Sequence, residues 1–451
     1  MKTDATQQCI IPSCSKTYDV KEVMSYCDCG NLLDVIYPNF GAHIGIVGGP
    51  QDLKRLFYSR RNYGNNIFNE SGVWRFRELI NFMGIDTEDL EAMSQVLVSL
   101  DGGEGRTRPY QMSGVAIRYA GMNPETLWLQ PEGLNPSGSF KDNGMVTGCT
   151  HAKMVGARRL RCASTGNTSS SAAQYGANEG VEVEVLVPKG RIAPGKFAQP
   201  LQFGAIVREV EGRFDDAMRE VLRQGGYIVN SVNPFRLEGQ KTIIYRALEW
   251  LKWQVPDWVV LPGGNLGNTS AIGKALMELY QWGFITRMPR LAVVNSEHAN
   301  TLYALYNGCF EGERLQWNNG NVNDELISEF YKHLDRLESE GGLRETEASA
   351  INIRRPINIK KGLRSLEHTN GVVVQVSDQD MKDGMVIVGL NGFDCEMASG
   401  AVPAGIKHLR EQGVIDHDET VLGILTGRLK DPQQIVDYHR NPDNLFANPP
   451  K

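Results

Sequence analysis

The chain has 451 residues, 41% of them hydrophobic, and a net charge of −6, long enough for more than one hydrophobic core, since single cores stop growing near ~250–300 residues. The acidic balance argues against nucleic acid or an anionic membrane as the main partner, because either favours a basic surface. No apolar run approaches the roughly 18–20 residues of a membrane span, and the start "MKTDATQQC" lacks the charged-then-apolar layout of a secretion signal, so the expected setting is the cytoplasm.

Eight cysteines do not make a disulfide framework in a chain this long. Cys9, Cys14, Cys27 and Cys29 cluster, while Cys149, Cys162, Cys309 and Cys395 are scattered and expected as small buried hydrophobes. From Cys9 to Tyr37 the segment "CIIPSCSKTYDVKEVMSYCDCGNLLDVIY" predicts a ribbon of short strands with cysteine-bearing turns. Zinc knuckles usually hold their ligands two residues apart, whereas the gaps here are four and one. That spacing favours a metal-free ribbon over a zinc site, and no metal ligand is assigned.

Residues 50–100 read as helical in "QDLKRLFYSRR", "SGVWRFRELINFMG" and "DTEDLEAMSQVLVSL", and the Gly-rich "DGGEGRTRPY" reads as a connector. From about Glu125 strand-like segments alternate with helical ones: "LWLQ", "RLRCAS", "VEVEVLVP", "AIVREV", "GYIVNSV", "DWVVLPGG" and "RLAVVN". A last pair, "GVVVQV" and "TVLGILTG", brackets the helical "SGAVPAGIKHLREQG", and the polar "DRLESEGGLRETEASA" reads as a surface loop. The alternation predicts an α/β protein with two doubly wound, open parallel sheets. The expected divisions are a ribbon and helical region over 1–110, a smaller sheet domain over 111–235 and a larger one over 236–451.

In such folds ligands bind outside the carboxyl ends of the strands. Three small-residue turns fall at predicted strand-to-helix junctions, where helix N-termini hold anions. The first, "EGLNPSGSFKDNGM", opens a helix with Lys141. The positive end of a helix dipole disfavours an ammonium, which suits an amine that must attack a carbonyl. A lysine snorkelling to solvent from a first turn is the competing reading. The second turn, "CASTGNTSSSAAQYG", places seven hydroxyl or amide residues in the eight positions from Ser164. An ordinary helix cap needs one; Ser164, Thr165, Gly166, Asn167 and Thr168 together suit a carboxylate or phosphate. The third, "LPGGNLGNTSA", lets backbone amides converge through Gly263, Gly264 and Gly267, with Asn265 and Asn268 stiffening the loop. It lacks the Gly-Lys-[Ser/Thr] ending of a P-loop. An amine at a helix start, a phosphate cradle and a hydroxyl-rich anion site together ask for pyridoxal 5'-phosphate, which has an aldehyde, a phosphate and an electron-accepting ring.

The segments "SGSFKDNGM", "CASTGNTSSSAAQYGA", "NSVNPFRLEGQKT" and "PDWVVLPGGNLGN" resemble those of the fold-type-II pyridoxal-phosphate enzymes, and of the threonine synthase family among them. The likeness extends to "SGVW", "CGNLLDVIY" and the tail "LKDPQQIVDYHRNPDNLFANPP". It implies Lys141 as the imine-forming lysine, Phe140 packed on the cofactor ring and Asn167 bonded to the ring hydroxyl. It implies Gly264, Asn265, Leu266, Gly267 and Asn268 around the cofactor phosphate, and the Thr426 hydroxyl at the ring nitrogen. Ser164, Thr165 and Thr168 would lie near the substrate carboxylate or phosphate, and Ser231 and Arg236 would bind the leaving phosphate. The implied reaction takes O-phospho-L-homoserine and water to L-threonine and phosphate, in a homodimer. Plant members respond to S-adenosylmethionine, but no residue here is assigned to it. Two departures stand out: "TGRLKDP" is one residue shorter than the usual "TGHGLKDP", with Arg428 in place of histidine, and "CEMASGAVPAG" differs from the usual proline-alanine-serine-alanine run. The alternatives are a paralogue acting on another phosphorylated or phosphonate amino acid, and a non-catalytic protein on the same fold.

Overall fold

The computed structural model describes residues 4–46, 48–190, 194–442, 444–445 and 450. In chain order its strands are β1 (Thr6–Cys9), β2 (Thr17–Asp19), β3 (Leu33–Ile36), β4 (Tyr110–Gln111), β5 (Leu127–Pro131), β6 (Arg159–Ala163), β7 (Glu182–Pro188), β8 (Ile206–Val210), β9 (Tyr227–Ile228), β10 (Trp258–Pro262), β11 (Arg290–Ser296), β12 (Val372–Val376) and β13 (Val421–Leu425). They form three sheets, ordered β2-β1-β3, β8-β7-β6-β9 and β12-β11-β10-β13-β5-β4. The four-stranded sheet is parallel throughout. The six-stranded sheet is parallel except for β4, which runs antiparallel along the edge of β5.

Two compact units emerge, each from separated stretches of chain. The first comprises Met1–Thr107, Leu134–Trp253 and Lys274–Arg287; the second comprises Arg108–Gly133, Gln254–Gly273 and Met288–Lys451. The sequence reading placed its divisions at 110/111 and 235/236 instead. Contiguous boundaries of that kind do not describe units to which β5 and the Lys274–Arg287 segment are contributed from a distance along the chain.

Every strand expected from Glu125 onwards forms. β10, "WVVLP", is buried at every position, as a parallel strand covered on both faces must be. In the second unit, helices Asp378–Leu390 and Met397–Glu411 bring Met381, Met385, Ala401 and Val402 into one core with Val260, Val294 and Leu425. The methionine, valine and leucine side chains among them contribute about 1.5–3 kcal/mol each on leaving water. Three local readings change. "SGVWRFRELINFMG" yields only a 3-10 stretch, Trp74–Ile80, whose residues are all buried, charged ones included. Of its charged side chains, Glu78 pairs with Arg60 (2.7 Å) and Arg75 with Glu249 (3.0 Å) inside the unit. The connector ends in β4, and the first part of the polar stretch lies in helix Asp324–Ser339.

In the ribbon, β1 pairs antiparallel with both β2 and β3. The turn Ile11–Cys14 is closed by Cys14 N–H to Ile11 O (3.0 Å), and Cys27–Gly30 by Gly30 N–H to Cys27 O (2.8 Å). The four sulfurs come to within 4.8 Å of one another. The sulfurs converge despite gaps of four and one, because the two turns bring Cys14 and Cys27 back towards Cys9 and Cys29.

Just past β3, the Tyr37 hydroxyl donates to Glu238 Oε2 (2.6 Å), at the edge of a buried ion quartet inside the first unit. Lys241 Nζ lies 2.6 Å from both Glu238 Oε2 and Glu278 Oε2, and Lys274 Nζ lies 2.5 Å from Glu238 Oε1 and 2.7 Å from Glu278 Oε1. Burial would raise the Glu238 pKa, yet Lys241 and Lys274 outweigh it and hold the carboxyl below its ordinary 4.5. A depressed carboxyl contributes stability above its unfolded pKa and loses it as pH falls through the folded value. Glu238→Ala leaves two buried ammoniums short of a partner and should cost about 3–5 kcal/mol. Urea unfolding at neutral pH checks this, and the difference from the unsubstituted protein should shrink as the pH is lowered beneath ~4.5.

Candidate active site

Within the first unit, Lys141 is the first residue of helix Lys141–Met154. The preceding loop needs a left-handed residue, which Gly138 supplies at φ +86°. Next to the lysine, Asp142 has no exposure. Its Oδ2 accepts from Ser137 N–H (2.7 Å) and its Oδ1 from the Ser171 hydroxyl (2.6 Å). This carboxylate ties the loop before Lys141 to helix Asn167–Glu179, and sequence reasoning missed it because acidic residues in a first helical turn are common. The Lys141 amine sits 4.4 Å from the centroid of the Phe140 ring.

The hydroxyl-rich turn splits into two classes. Ser164 is buried, and its Oγ accepts from Gly166 N–H (3.2 Å) and Ser169 N–H (3.3 Å), which is capping work. The Ser169 hydroxyl returns a bond to Gly166 O (2.7 Å). Thr165 and Thr168 are half-buried, and Asn167 is buried at the first position of the helix. Asn230, not anticipated, locks the end of β6: its Oδ1 accepts from Ala163 N–H (3.0 Å) and its Nδ2 donates to Ala163 O (2.8 Å).

Ser231 and Arg236 stand in the same unit, at the start of helix Pro234–Trp250, which Asn233 caps by accepting from Phe235 N–H (3.0 Å). Arg236 is 1% exposed. Its Nη1 donates to Val229 O (2.7 Å), while Nε and Nη2 are buried without a partner among the described residues. Burial pushes its pKa down to about 10, against the opposing pull of Cys162 and Cys149. Its stem packs on Gly148, where an added Cβ would lie 2.8 Å from Arg236 Cγ.

The second unit holds the glycine loop. Asn295 Nδ2 donates to Gly263 O (2.6 Å), and Asn265 Oδ1 accepts from Ile357 N–H (2.6 Å). Leu266 adopts a left-handed φ of +58°, and its buried side chain packs against Gly362. Helix Gly267–Gln281 starts here, presenting the unpaired N–H groups of any helix start. Asn268 is 6% exposed, and neither its Oδ1 nor its Nδ2 has a partner among the described residues. An orphaned buried amide costs about 1–3 kcal/mol, so this donor and acceptor fit a ligand that carries an anionic, hydrogen-bonding group. With the converging amides, they fit the phosphate end of pyridoxal phosphate.

Also in the second unit, Thr426 follows β13 and is 6% exposed. Its Oγ1 donates to Glu396 Oε1 (3.0 Å) and lies 3.0 Å from Ser399 Oγ. Ser399 Oγ in turn accepts from Thr426 N–H (2.8 Å) and Gly427 N–H (3.2 Å). Glu396 and Ser399 belong to "CEMASGAVPAG" and were not singled out individually, since no local spacing links them to Thr426. The shortened "TGRLKDP" loop runs against Gly133, where a Cβ would sit 2.8 Å from Arg428 N. A cleft of about 390 Å³ in this unit, lined in part by His298, Phe310, His333 and Arg344, contains none of the candidate residues.

Residues 100–427 match the family described as "Pyridoxal-phosphate dependent enzyme". The chain is 35% identical to the threonine synthase of Methanocaldococcus jannaschii, over 97% of this chain and 95% of that one. Its identity to the threonine synthase of Methanosarcina acetivorans is 34%, over 96% and 95%. With threonine synthase 2, chloroplastic, of Arabidopsis thaliana it is 32%, over 97% and 80%. Among solved structures, a pyridoxal 5'-phosphate-dependent aspartate racemase aligns with a TM-score of 0.53 at 21% identity, over 70% of this chain and 87% of that one. Maize serine racemase aligns with a TM-score of 0.53 at 14% identity, over 78% and 98%. These two likenesses speak to the fold.

The glycine loop has no room for side chains at its start. A Cβ on Gly263 would come within 2.5 Å of Val293 Cγ1 and 2.7 Å of Asn295 Nδ2. Gly263→Ala should therefore destabilise the protein by about 1–3 kcal/mol and break the Asn295 bond, as read by thermal unfolding. An unchanged midpoint would contradict this packing.

Proposed function

Because the chain belongs to the threonine synthase family of pyridoxal-phosphate dependent enzymes, we propose that it converts O-phospho-L-homoserine and water into L-threonine and phosphate. The observation that carries the reading is the pairing, in one sequence, of a lysine placed at a helix start with a glycine loop that ends in an orphaned buried amide. The cofactor, when bound, supplies an aldehyde for an amine and a ring that takes up charge from the substrate Cα.

The protein's own groups account for the remaining work. Lys141 Nζ would hold the cofactor aldehyde in the resting enzyme and, once free, would carry the protons lost from Cα and Cβ. With phosphate leaving from Cγ, the balance requires those two protons to be delivered to Cγ and back to Cα, the hydroxyl of water to Cβ and its proton to the released phosphate. Asp142 contributes by position: its oxygens accept from Ser137 N–H and the Ser171 hydroxyl, and so it holds the lysine's helix start. Phe140 is assigned to pack on the ring, Asn167 to bond the ring hydroxyl, and Gly264, Asn265, Leu266, Gly267 and Asn268 to cradle the phosphate.

Thr426 is assigned to the ring nitrogen, and its surroundings refine what the hydroxyl does there. Its proton goes to Glu396, which leaves the Thr426 oxygen as an acceptor. Such an oxygen would suit a protonated ring nitrogen, whereas a hydroxyl with a free proton would suit an unprotonated one. Ser164, Thr165 and Thr168 are assigned to the substrate's anionic groups, with Thr165 and Thr168 the more available because Ser164 already caps the turn. Ser231 and the two unspent nitrogens of Arg236 suit the leaving phosphate, since a guanidinium binds it with two parallel donors. We further assign the protein to the cytoplasm as a homodimer; among the described residues no helix is long and apolar enough to cross a membrane.

A second reading, the paralogue acting on another phosphorylated amino acid, is favoured by the altered Glu396–Ser399 and Arg428 segments. Incubation with O-phospho-L-homoserine, followed by mass spectrometry for threonine and phosphate assay, separates the two. Release of phosphate from O-phospho-L-serine alone would overturn the first reading. Lys141→Ala should lower turnover by about 10²–10⁴-fold or more and abolish the visible absorbance of the lysine-bound cofactor; unchanged turnover would remove Lys141 from the mechanism.

A further inference from the structure

We propose that the N-terminal ribbon binds one zinc ion through the thiolates of Cys9, Cys14, Cys27 and Cys29. The nearest sulfur pairs are Cys9–Cys29 at 3.5 Å and Cys14–Cys27 at 3.6 Å, and all four lie within 4.8 Å of one another. With Zn–S bonds of ~2.3 Å, a tetrahedron of sulfurs has edges of ~3.8 Å, so the cluster already has the size of a zinc tetrathiolate. A disulfide needs its sulfurs at ~2.05 Å, well inside either close pair. The donor set contains no oxygen, which suits a soft-ligand metal and excludes magnesium or calcium. All four positions are protein thiolates, so the site is closed and structural.

Polar groups around the sulfurs fit the same occupant. The Tyr18 hydroxyl donates to Cys27 Sγ (3.3 Å) and Asn31 Nδ2 to Cys29 Sγ (3.5 Å). Such bonds orient thiolate ligands and moderate their charge. The ribbon's own apolar core is small. Its strands are four, three and four residues long, and its apolar cluster consists of Cys9, Cys27 and Leu33 with a few half-buried neighbours. Sheets this small need packing, a metal or a disulfide.

The ion has a structural task within the first unit. Between the two cysteine pairs, the Val20 carbonyl accepts from His151 Nε2 (2.5 Å), and His151 lies on the helix that begins with Lys141. The zinc would hold that loop against the helix.

The test uses full-length protein with its cofactor, expressed with zinc supplied. Elemental analysis should find one zinc per chain, with four thiols reacting only after a chelator has removed it. Cobalt substituted for zinc should show the visible bands of a tetrahedral thiolate site. Cys29→Ser, at an exposed position, should lose the metal on dialysis, and Cys309→Ser should keep it. If Cys29→Ser does not fold, the cobalt spectrum of the unsubstituted protein decides. Metal-free protein whose Cys9, Cys14, Cys27 and Cys29 thiols react without a chelator, or carry Cys9–Cys29 and Cys14–Cys27 disulfides, would overturn the proposal, and iron in the site would overturn the choice of ion. Zinc removal should also speed hydrogen exchange over Lys141–Met154; unchanged exchange would overturn the bracing role.

Discussion

The carboxylate of Asp142, shut away from water, gathers the backbone N–H of Ser137 and the hydroxyl of Ser171. Two separate pieces of chain, the loop "NPSGSF" and the hydroxyl-rich helix, are thereby joined one residue from Lys141. A buried carboxylate of this kind is costly to leave without donors, so the two bonds are made together or the local fold is lost. The direction in which Lys141 leaves the backbone follows from that constraint. An amine that is to meet a cofactor must be placed within fractions of an ångström, and a buried, hydrogen-bonded anchor at the next residue fixes the helix start that carries Lys141.

Each unit uses the same construction. A parallel strand ends, a tight turn follows, and a helix begins with unpaired N–H groups aimed at whatever lies beyond. In the first unit the turn after β6 is stiffened by Asn230, which stands in for a missing strand partner at Ala163. In the second, Asn295 and Asn265 do comparable work for the glycine loop. The stiffening amides are spent on backbone, and Asn268 is not. This division separates residues that build the loop from the one whose donor and acceptor are left for a ligand.

Around Thr426 the hydrogen bonds have a direction. Ser399 receives two backbone N–H groups, so its own proton turns towards Thr426 or Gly427, and Thr426 passes its proton to Glu396. The hydroxyl's role is thus set by a carboxylate behind it, and the electronic state of a bound ring would depend on Glu396 as much as on Thr426. The first unit shows a related economy, in which Tyr37, just past β3, joins the Glu238 quartet and so links a small ribbon to a core it cannot build for itself.

Much was legible in the residues alone. Strand-by-strand alternation, the continuous apolar run of β10 and the three small-residue turns are local signals, carried by side-chain period and backbone permissiveness, and they pointed to the α/β sheets and to the helix starts at Lys141, in the 164–168 turn and in the 264–268 loop. The antiparallel edge strand β4 and the division into two interleaved units were not legible, because a two-residue strand has no period and units assembled from distant segments have no boundary in the chain. Nor was the convergence of the four cysteines, since the gaps of four and one look wrong until two turns fold them together. Asp142, Glu396 and Ser399 carry no motif; their meaning is a partner 29 or 30 residues away or, for Ser399, 27. The sequence by itself determined which backbone elements form and which residue types stand at their ends. Only the tertiary structure decided which of those polar groups are already satisfied by one another and which are left over for a ligand, because hydrogen-bond satisfaction depends on neighbours in space and not on order along the chain.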